Sequence, residues 1–593
     1  MAVGGGDEDT VADLLAAERS WRMIQMRTLL DAVDAAPEAV GPLPPVAAAW
    51  ELLVAAQRQD RSAVDALILH PQVGTWAGFT LRRLRGSTAA RGPLWIDVGY
   101  LHALAVVAAL RTGLGFTMRV PVRGQFVALP TLGGAPVPAA EEWDQAEITG
   151  SDGVATLTSA GTTIRIEASG VGTSGWIPLP TVRTDAGGHI LAVTLDFLDP
   201  YRNLRTPTPP QLMTAEQLAR WRELLRGAWD LLMRVCPELA VPMSRGLLSV
   251  VPQPAAERFR TMSASAGDAF GSMIISEPED VPEMAVTLVH EFQHIKLGGL
   301  LHLAQLLDAE PAQRLYAPWR DDPRPLGGLA QGVYAFVGIV QFWRAFRRVA
   351  QGSTARLAHF EFARWREQVR TTLDMMRTLP ELTEVGRHLV TGLQATAAGW
   401  QAEDVPADIL AAARAAVTDH WIRWRIHHCR PDQQVVAELA AAFVTGADRP
   451  VVTHSEPVVA TDPSARRLDT RAVLQLWRMT DAEGFEQLRR SPSAVGAQVS
   501  GATPADLAYV AGDVAQAREL YLSELSADPG SPGAWAGLAL AIAADRPHPA
   551  ADAIRERPEL VRAVYQEICR AGVQEDPLRV ASWMGLPGGF LRP

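Results

Sequence analysis

Apolar residues recur at helical spacing near the N-terminus and alternate with polar residues in the segment that follows. Between about residues 10 and 90, apolar positions fall three or four residues apart, which predicts helices. Within 91–210, the runs 116–122 and 162–166 alternate, and glycine and proline are dense between them, as is typical of strands and turns. The pattern therefore predicts a helical segment over 1–90 and a β-rich segment over 91–210.

Helical spacing returns after residue 211 and is interrupted twice before residue 280. The interruptions, 246–251 and 269–276, are short and apolar and predict strands. Asp280 is a good N-cap and Pro282 suits a first helical turn, so a helix is predicted directly after the second strand.

Helices are predicted to continue to about residue 448, including 326–348 and 354–376. The proline-containing stretch 449–470 predicts a linker. The segment 471–593 contains one pattern similar to a tetratricopeptide (TPR-like) hairpin, and an ordinary helix pair explains it equally well. The chain as a whole is predicted to be α+β and predominantly helical, with 211–448 as a helical catalytic domain.

The composition is that of a globular protein with enough apolar residues for a large core. Of the 593 residues, 48% are hydrophobic and 20% are charged, and the formal net charge is −11. An acidic chain without a long basic run binds nucleic acid poorly, because phosphates need clustered lysine and arginine. The N-terminus lacks the pattern of a secretory signal, and no apolar run is long enough to span a bilayer, so a cytoplasmic location is predicted.

The most specific chemistry in the sequence is the HExxH motif from His290 through Glu291 to His294. Histidines four residues apart lie one turn apart on the same helix face, so both imidazoles can reach one metal ion. Glu291 can hold a proton or orient a bound water. A strand, a turn and an HExxH helix in this order predict a zincin-like core, whereas the competing interpretation is a solvated polar helix face without a metal.

Two protein ligands are rarely sufficient for a catalytic metal, and four residues are candidates for the third ligand. His302 lies eight residues beyond the motif, and a helix break at Gly298 and the glycine after it would let His302 return to the site. Glu361 in a later helix would give a thermolysin-like arrangement, and Asp321 and Asp322 are further candidates. The sequence does not choose among them.

The proline-stiffened loop 316–325 contains Arg320 and Arg324 beside Asp321 and Asp322. Two arginines near a metal can clamp a carboxylate bidentately. They can equally pair with the two aspartates in a structural network, and the sequence leaves both interpretations open.

A second histidine pair, His427-His428, precedes Arg430. Adjacent residues of a helix point apart and chelate an ion poorly. This pair is therefore interpreted as chemistry at a helix end, with Arg430 near the C-cap.

The run 288–297 around the HExxH motif, followed by the loop 319–325, resembles a known family. That family is the HExxH-type peptide-modification proteins of bacterial ribosomal-peptide pathways, whose members are described as α-ketoglutarate-dependent peptide β-hydroxylases. The resemblance covers about residues 280 to 370, and the flanking segments fit loosely.

The resemblance implies that His290 and His294 bind Fe(II), with α-ketoglutarate and O₂ in the open positions. It implies that Arg320 or Arg324 holds the distal carboxylate of the cosubstrate, and that a β-carbon of a precursor peptide is hydroxylated. Glu291 would then support the metal ligands rather than serve as a proteolytic base.

Three hypotheses follow from the residues and the resemblance. The first is an Fe(II)/α-ketoglutarate-dependent peptide hydroxylase, and the second is a zinc metallopeptidase with Glu291 as general base. The third is a scaffold whose C-terminal helices bind a peptide or a biosynthetic partner. In the hydroxylase hypothesis, the β-rich segment or the C-terminal helices would bind a leader peptide.

Overall fold

The computed structural model describes residues 1–450 and 457–585 and divides into two compact units. Met1 and Val3–Gln305 form the first unit, and Ala2 together with the chain from Leu306 onward forms the second. The boundary lies inside the predicted catalytic domain 211–448. The HExxH helix consequently belongs to the first unit, and the helices from residue 326 belong to the second.

The first unit combines helices at both ends of its sequence with a β-rich middle. Its helices are α1 (Glu8–Asp34), α2 (Val46–Gln59), α3 (Arg61–Ile68), α4 (Pro71–Leu84), α5 (Leu94–Val98), α6 (Tyr100–Thr112), α7 (Ala215–Val235), α8 (Pro237–Ala240), α9 (Met243–Gly246) and α10 (Val281–Leu301). Its strands are β1 (Phe116–Arg123), β2 (Phe126–Leu129), β3 (Gly133–Pro136), β4 (Trp143–Ser151), β5 (Val154–Ser159), β6 (Thr162–Glu167), β7 (Ile177–Pro178), β8 (Thr181–Ala186), β9 (His189–Leu195), β10 (Ser249–Gln253), β11 (Ser263–Ala264) and β12 (Ser272–Ser276).

Three small sheets organise the strands of the first unit. Strands β1, β4, β5 and β6 form an antiparallel sheet in the order β1-β4-β5-β6, and β2, β3 and β7 form a second antiparallel sheet. The third sheet has the order β11-β12-β10-β9-β8 and is mixed, since β10 pairs in parallel with both β12 and β9. The HExxH helix α10 follows β12 in the chain and packs against β11 and β12 of this mixed sheet and against α7 and α1.

The β-rich segment begins at Phe116, later than the predicted residue 91. Residues Leu94–Val98 and Tyr100–Thr112 are helical, and strands start only at Phe116. Every residue from Tyr100 to Leu110 is buried. This stretch therefore has no polar face, and its sequence shows no alternation of apolar and polar residues that would indicate a helix. The predicted strands at 116–122, 162–166, 246–251 and 269–276 are confirmed as β1, β6, β10 and β12.

The second unit is almost entirely helical. Its helices are α11 (Leu326–Phe346), α12 (Gly352–Arg377), α13 (Glu384–Ala397), α14 (Ala407–His428), α15 (Gln433–Thr445), α16 (Thr470–Thr480), α17 (Ala482–Arg490), α18 (Val495–Gln498), α19 (Pro504–Ala511), α20 (Val514–Ala527), α21 (Pro532–Asp545), α22 (Pro549–Glu556), α23 (Pro558–Arg570) and α24 (Pro577–Gly585). Two short strands, β13 (Cys429–Arg430) and β14 (Val458–Val459), pair antiparallel. The helices predicted at 326–348 and 354–376 are confirmed as α11 and α12.

The described part of the predicted linker 449–470 is packed rather than loose. Residues 451–456 of this linker lie outside the described residues. Beyond them, β14 pairs with β13, and Leu468 is fully buried. The backbone N–H groups of Arg467 and Leu468 donate to the carboxylate of Asp321 at 2.6 and 3.1 Å. The prolines of this stretch therefore mark an irregular segment of the second unit, and the sequence alone does not reveal its burial.

In the part of the chain that the structure describes, two helical stretches are long and apolar enough to cross a membrane, contrary to the expectation from the sequence. They are Leu94–Thr112 and Leu326–Phe346, and 83% and 72% of their apolar windows are buried inside the protein. Buried helices that are apolar on all sides are typical of the core of a large soluble protein. The cytoplasmic location stays a prediction.

Candidate metal centre

Helix α10 positions the HExxH motif, and its start is fixed by local chemistry. The side chain of Asp280 caps the helix by accepting from the N–H of Glu283 at 2.9 Å, and Pro282 occupies the first turn. Apolar side chains along the helix, among them Leu288 and Phe292, are buried. The helix is thus held on several sides, and the rotation of the motif about the helix axis is set by this packing.

The two imidazoles of the motif lie side by side. The ring centroids of His290 and His294 are 4.7 Å apart, and the rings are nearly perpendicular, at 84°. The side chain of His290 is 20% exposed. Burial, with a smaller contribution from His294, holds the pKa of His290 well below its usual range. A neutral imidazole keeps a nitrogen lone pair, which is the form that binds a metal ion.

Glu291 is buried beside the histidines and retains an unused oxygen. Its side chain is 1% exposed, and Oε1 lies 3.8 Å from Nε2 of His290. Within the described residues, Oε2 has no hydrogen-bond partner. Buried carboxylate oxygens in proteins are nearly always hydrogen-bonded, so this atom is suited to hold a proton, a water or a ligand group.

The opposite side of α10 is anchored by the N-terminal segment of the same unit. Gln293 Nε2 donates to the carbonyl of Gly4 at 2.8 Å, and Lys296 Nζ donates to the carbonyl of Gly5 at 3.1 Å. Both side chains are buried, and burial lowers the pKa of Lys296 to about 7. Gln293 within the motif and Lys296 just beyond it thus help to fix the helix in place.

His302 is not returned to the histidine pair by a helix break. Helix α10 continues through both glycines to Leu301, and His302 is its C-cap. Gly299 serves another purpose, because a Cβ there would lie 2.8 Å from the ring of Phe270. Eight residues of helix carry His302 about 12 Å along the axis from His294, so the expected break at Gly298 is wrong.

His302 has partners of its own. Its Nδ1 lies 3.3 Å from Oε2 of Glu18, and its ring stacks on Trp21 at 5.2 Å. The contact with Glu18 raises the pKa of His302. These contacts explain the orientation of His302 without a metal ion.

The candidate arginines of the second unit share one carboxylate. Arg320 Nε donates to Oδ1 of Asp322 at 3.0 Å, and Arg324 Nη1 donates to Oδ2 at 3.1 Å. Burial alone would raise the pKa of Asp322, but the two arginines lower it. Of the two interpretations, the loop network is present, although Asp322 rather than Asp321 is the shared partner. Asp321 instead accepts the backbone N–H groups described above.

Glu361 is buried in α12 of the second unit. Its Oε2 accepts the indole N–H of Trp365, and burial raises its pKa. Arg364, one turn along the same helix, is 6% exposed and lies 4.3 Å from the centre of the Trp365 ring. Its Nε has no hydrogen-bond partner among the described residues. The charge of Arg364 opposes the effect of burial on the pKa of Glu361, so this arginine partly balances a buried carboxylate, a role that the sequence pattern does not reveal.

Among the described residues, the structure brings two candidate metal ligands together and adds no third. Among the residues that the structure describes, no group of three or more histidine, cysteine, aspartate or glutamate side chains is arranged to hold a metal ion. His290 and His294 form a pair, whereas His302 and Glu361 contact Glu18 and Trp365 respectively. The identity of the third ligand stays a prediction.

Comparison with models of known protein families and with curated proteins returned no match for this chain.

Proposed function

We propose that this protein is an Fe(II)/α-ketoglutarate-dependent hydroxylase that acts on a β-carbon of a ribosomally made precursor peptide. The observation that carries the proposal is the His290–His294 pair, with ring centroids 4.7 Å apart on a buried helix. Two imidazoles and one further oxygen ligand form the set that non-haem Fe(II) oxygenases use, and it leaves positions open for a cosubstrate. The resemblance of the motif to the peptide β-hydroxylases supplies the substrate class.

In this proposal His290 and His294 hold the iron through neutral imidazole nitrogens. Bound Fe(II), together with α-ketoglutarate and O₂, supplies the oxidising chemistry. The residues fit the ion in part, because the two imidazoles are adjacent and Glu291 has a buried oxygen without a hydrogen-bond partner within the described residues. Glu291 orients the ligands or accepts a proton from a bound water. The distal carboxylate of the cosubstrate would bind Arg320 or Arg324, as the resemblance implies.

The surroundings of the motif support a zincin-like core. Helix α10 follows β12 of a mixed five-stranded sheet after a four-residue turn that ends in the N-cap Asp280. Strand, turn and HExxH helix occur in the order that this type of metal site requires. Helix α9 also approaches α10 closely, since a Cβ on Gly246 would lie 2.8 Å from the ring of Phe292.

The second unit supports a TPR-like helical module in its C-terminal part. Helices α19 to α23 follow one another with short connections, and α20 packs on α21. A Cβ on Gly537 of α21 would lie 2.1 Å from Cζ of Tyr521 in α20, so a small residue is required where the two helices meet. Helix pairs of this kind commonly bind peptides, and we assign to this module, or to the β-rich segment, contact with a leader peptide.

One observation also favours a zinc metallopeptidase as a second candidate function. The unused Oε2 of Glu291 is a carboxylate oxygen of the kind that accepts a proton from a metal-bound water. The two functions require the same motif but different metals and different products. Turnover therefore separates them.

The test is turnover of a precursor peptide with the full chain. We expect Fe(II), α-ketoglutarate and O₂ to give succinate and a peptide heavier by about 16 daltons, the mass of one oxygen. His290→Ala and His294→Ala should abolish both products, and His388→Ala, at an exposed histidine of α13, should not. Peptide cleavage with zinc in the absence of oxygen would instead establish the metallopeptidase.

A further inference from the structure

A cavity of about 520 Å³ lies within the first unit, among residues 89–210. Its walls come from residues 89–91, helix α5, the start of α6, the end of β1, strand β2, the start of β4 and the segment 198–210. Cavities of 300–1,000 Å³ are the usual size of small-ligand sites, and interiors otherwise pack without such voids. The HExxH motif does not line this cavity, so it is a separate site.

Small side chains keep the cavity open, and large apolar ones form its floor. Alanines stand at positions 89, 90, 103 and 128, where longer side chains would fill the space. Phe126 and Leu198 belong to a buried apolar cluster beneath it. The cavity therefore favours a ligand with an apolar body.

One wall is a preformed strap of residues 206–210, which contains three prolines. Arg202 is buried and donates to the backbone carbonyls of Thr208 and Pro209. The N–H of Thr208 donates to the carbonyl of Pro200 at 2.9 Å. Because these bonds and the fixed φ of proline hold the strap, the wall does not need to be ordered by the ligand.

The opposite wall is polar and contains a guanidinium group with donors to spare. Arg123 lines the cavity, and its Nη2 donates to Oδ1 of Asp97 at 2.6 Å and to the hydroxyl of Tyr201 at 3.1 Å. Within the described chain no residue accepts from its Nε or Nη1. The guanidinium also lies 5.5 Å from the centre of the Trp143 ring, which limits its rotation.

The charges behind this wall leave Arg123 incompletely neutralised. Asp97 is 1% exposed and is shared between Arg83 and Arg123, so one carboxylate faces two cations. Glu142 also lines the cavity and pairs with Arg91 at 3.2 Å, whereas Asp199 lies behind Tyr100 and accepts its hydroxyl at 2.6 Å. Burial and the neighbouring Asp196 raise the pKa of Asp199, which favours its uncharged form.

We propose that this cavity binds a carboxylate with an apolar or aromatic body, with Arg123 holding the carboxylate. The free N–H groups of Arg123 match the geometry of a carboxylate, and the alanine-lined space accepts the body. Two sources offer this chemistry, a free small acid and the C-terminal residue of an apolar peptide. The inference does not depend on the metal chemistry proposed above.

The experiment measures binding of 4-phenylbutanoate to the full chain by calorimetry, without metal or cosubstrate. We expect saturable binding at one site, and at least about tenfold weaker binding of 4-phenylbutanamide, which lacks the charge. Acetyl-glycyl-phenylalanine with a free carboxylate, compared with its amide, forms the second arm. Binding of the phenylbutanoate alone would identify a free acid, and tighter binding of the peptide acid would identify a peptide C-terminus.

Three variants decide the role of the residues. Arg123→Gln should weaken the carboxylate by at least about tenfold and leave the amide unchanged. Ala128→Leu, which fills the cavity and leaves the polar wall intact, should weaken both ligands and keeps the test valid if Arg123→Gln fails to fold. Arg119→Gln, at an exposed position of the same strand, is the matched control. Equal binding of acid and amide, no binding of any probe, or no effect of Arg123→Gln would overturn the proposal.

Discussion

The two histidine pairs of this chain show how spacing decides what a pair can do. His290 and His294 are four residues apart in α10, and their ring centroids are 4.7 Å apart. His427 and His428 are adjacent at the end of α14, and their centroids are 6.1 Å apart. A helix turns by about 100° per residue, so neighbours diverge whereas residues one turn apart converge.

The adjacent histidines, His427 and His428, both form hydrogen bonds with other parts of the second unit. His427 Nδ1 lies 2.8 Å from a carboxylate oxygen of Asp462. His428 accepts the N–H of Asp462 at Nδ1 and donates from Nε2 to the carbonyl of Asp321 at 2.7 Å. Arg430 donates to the carbonyl of His427, as expected at a helix end. The comparison teaches that histidine content alone does not identify a metal site, whereas spacing together with the surrounding hydrogen bonds does.

The largest expected effect is on metal affinity. His290→Ala or His294→Ala removes one of two ligands, and we expect the affinity for Fe(II) or Zn(II) to fall by at least about a hundredfold, since second-layer residues alone account for roughly 10- to 100-fold. His427→Ala is the matched control and should leave the affinity unchanged. Calorimetric titration of the three variants with Fe(II) or Zn(II) measures these affinities. A comparable loss of metal affinity in His427→Ala would contradict the claim that only the pair His290 and His294 binds the metal.

The next effect concerns stability rather than affinity. His428 is fully buried, and His428→Ala leaves the carbonyl of Asp321 and the N–H of Asp462 without their partner. We expect the second unit to lose about 3 kcal/mol of unfolding free energy, from the lost hydrogen bonds and the cavity. Urea unfolding followed by tryptophan fluorescence gives this value. Unchanged stability would show that His428 is not structural.

A smaller effect sharpens the role of Glu291. Glu291→Gln keeps the size of the side chain and removes its charge. If Glu291 supports the ligands, metal affinity should fall by roughly 10- to 100-fold and hydroxylation should persist. If it is a general base, turnover should fall by roughly 10²- to 10⁴-fold. Steady-state rates with a matched substrate distinguish the two roles.

The smallest effect concerns the histidine that stands apart from both pairs. Contact with Glu18 raises the pKa of His302 above its unfolded value. The pair therefore stabilises the fold fully below about pH 6.5, and this contribution is lost as the pH rises through the folded pKa. We expect this contribution to the free energy of unfolding to be about 1 kcal/mol or less, and the substitution His302→Gln should remove it.

A titration of His302 by NMR in the presence and absence of Zn(II) tests whether His302 is a metal ligand. An unchanged titration curve fits a residue that does not bind the metal. Disappearance of the titration on adding zinc would instead identify His302 as the third ligand.

Local chemistry predicted the start of the motif helix but not its continuation. Asp280 and Pro282 are sufficient to define the N-terminus of α10, because capping depends on adjacent residues. The two glycines near its end suggested a break, yet Gly299 is required by contact with Phe270, which lies far along the chain. Such long-range packing leaves no mark in the local pattern.

Only the part of the candidate site that lies within one helix could be predicted from the sequence. The spacing of His290 and His294 predicts their convergence, since a helix has a fixed pitch. Arg320 pairs with Asp322 because of the conformation of the loop 316–325. Spacing along the sequence does not determine that conformation. The cavity around Arg123 was not predictable, because its walls come from parts of the sequence that are far apart.

The most direct test of the shared-ion claim is pulsed electron paramagnetic resonance of the protein loaded with one equivalent of Cu(II). We predict modulation from two equivalent imidazoles in the wild type and from one imidazole in either His290→Ala or His294→Ala. A wild-type spectrum with no imidazole coupling, or a spectrum unchanged in both variants, would contradict the account.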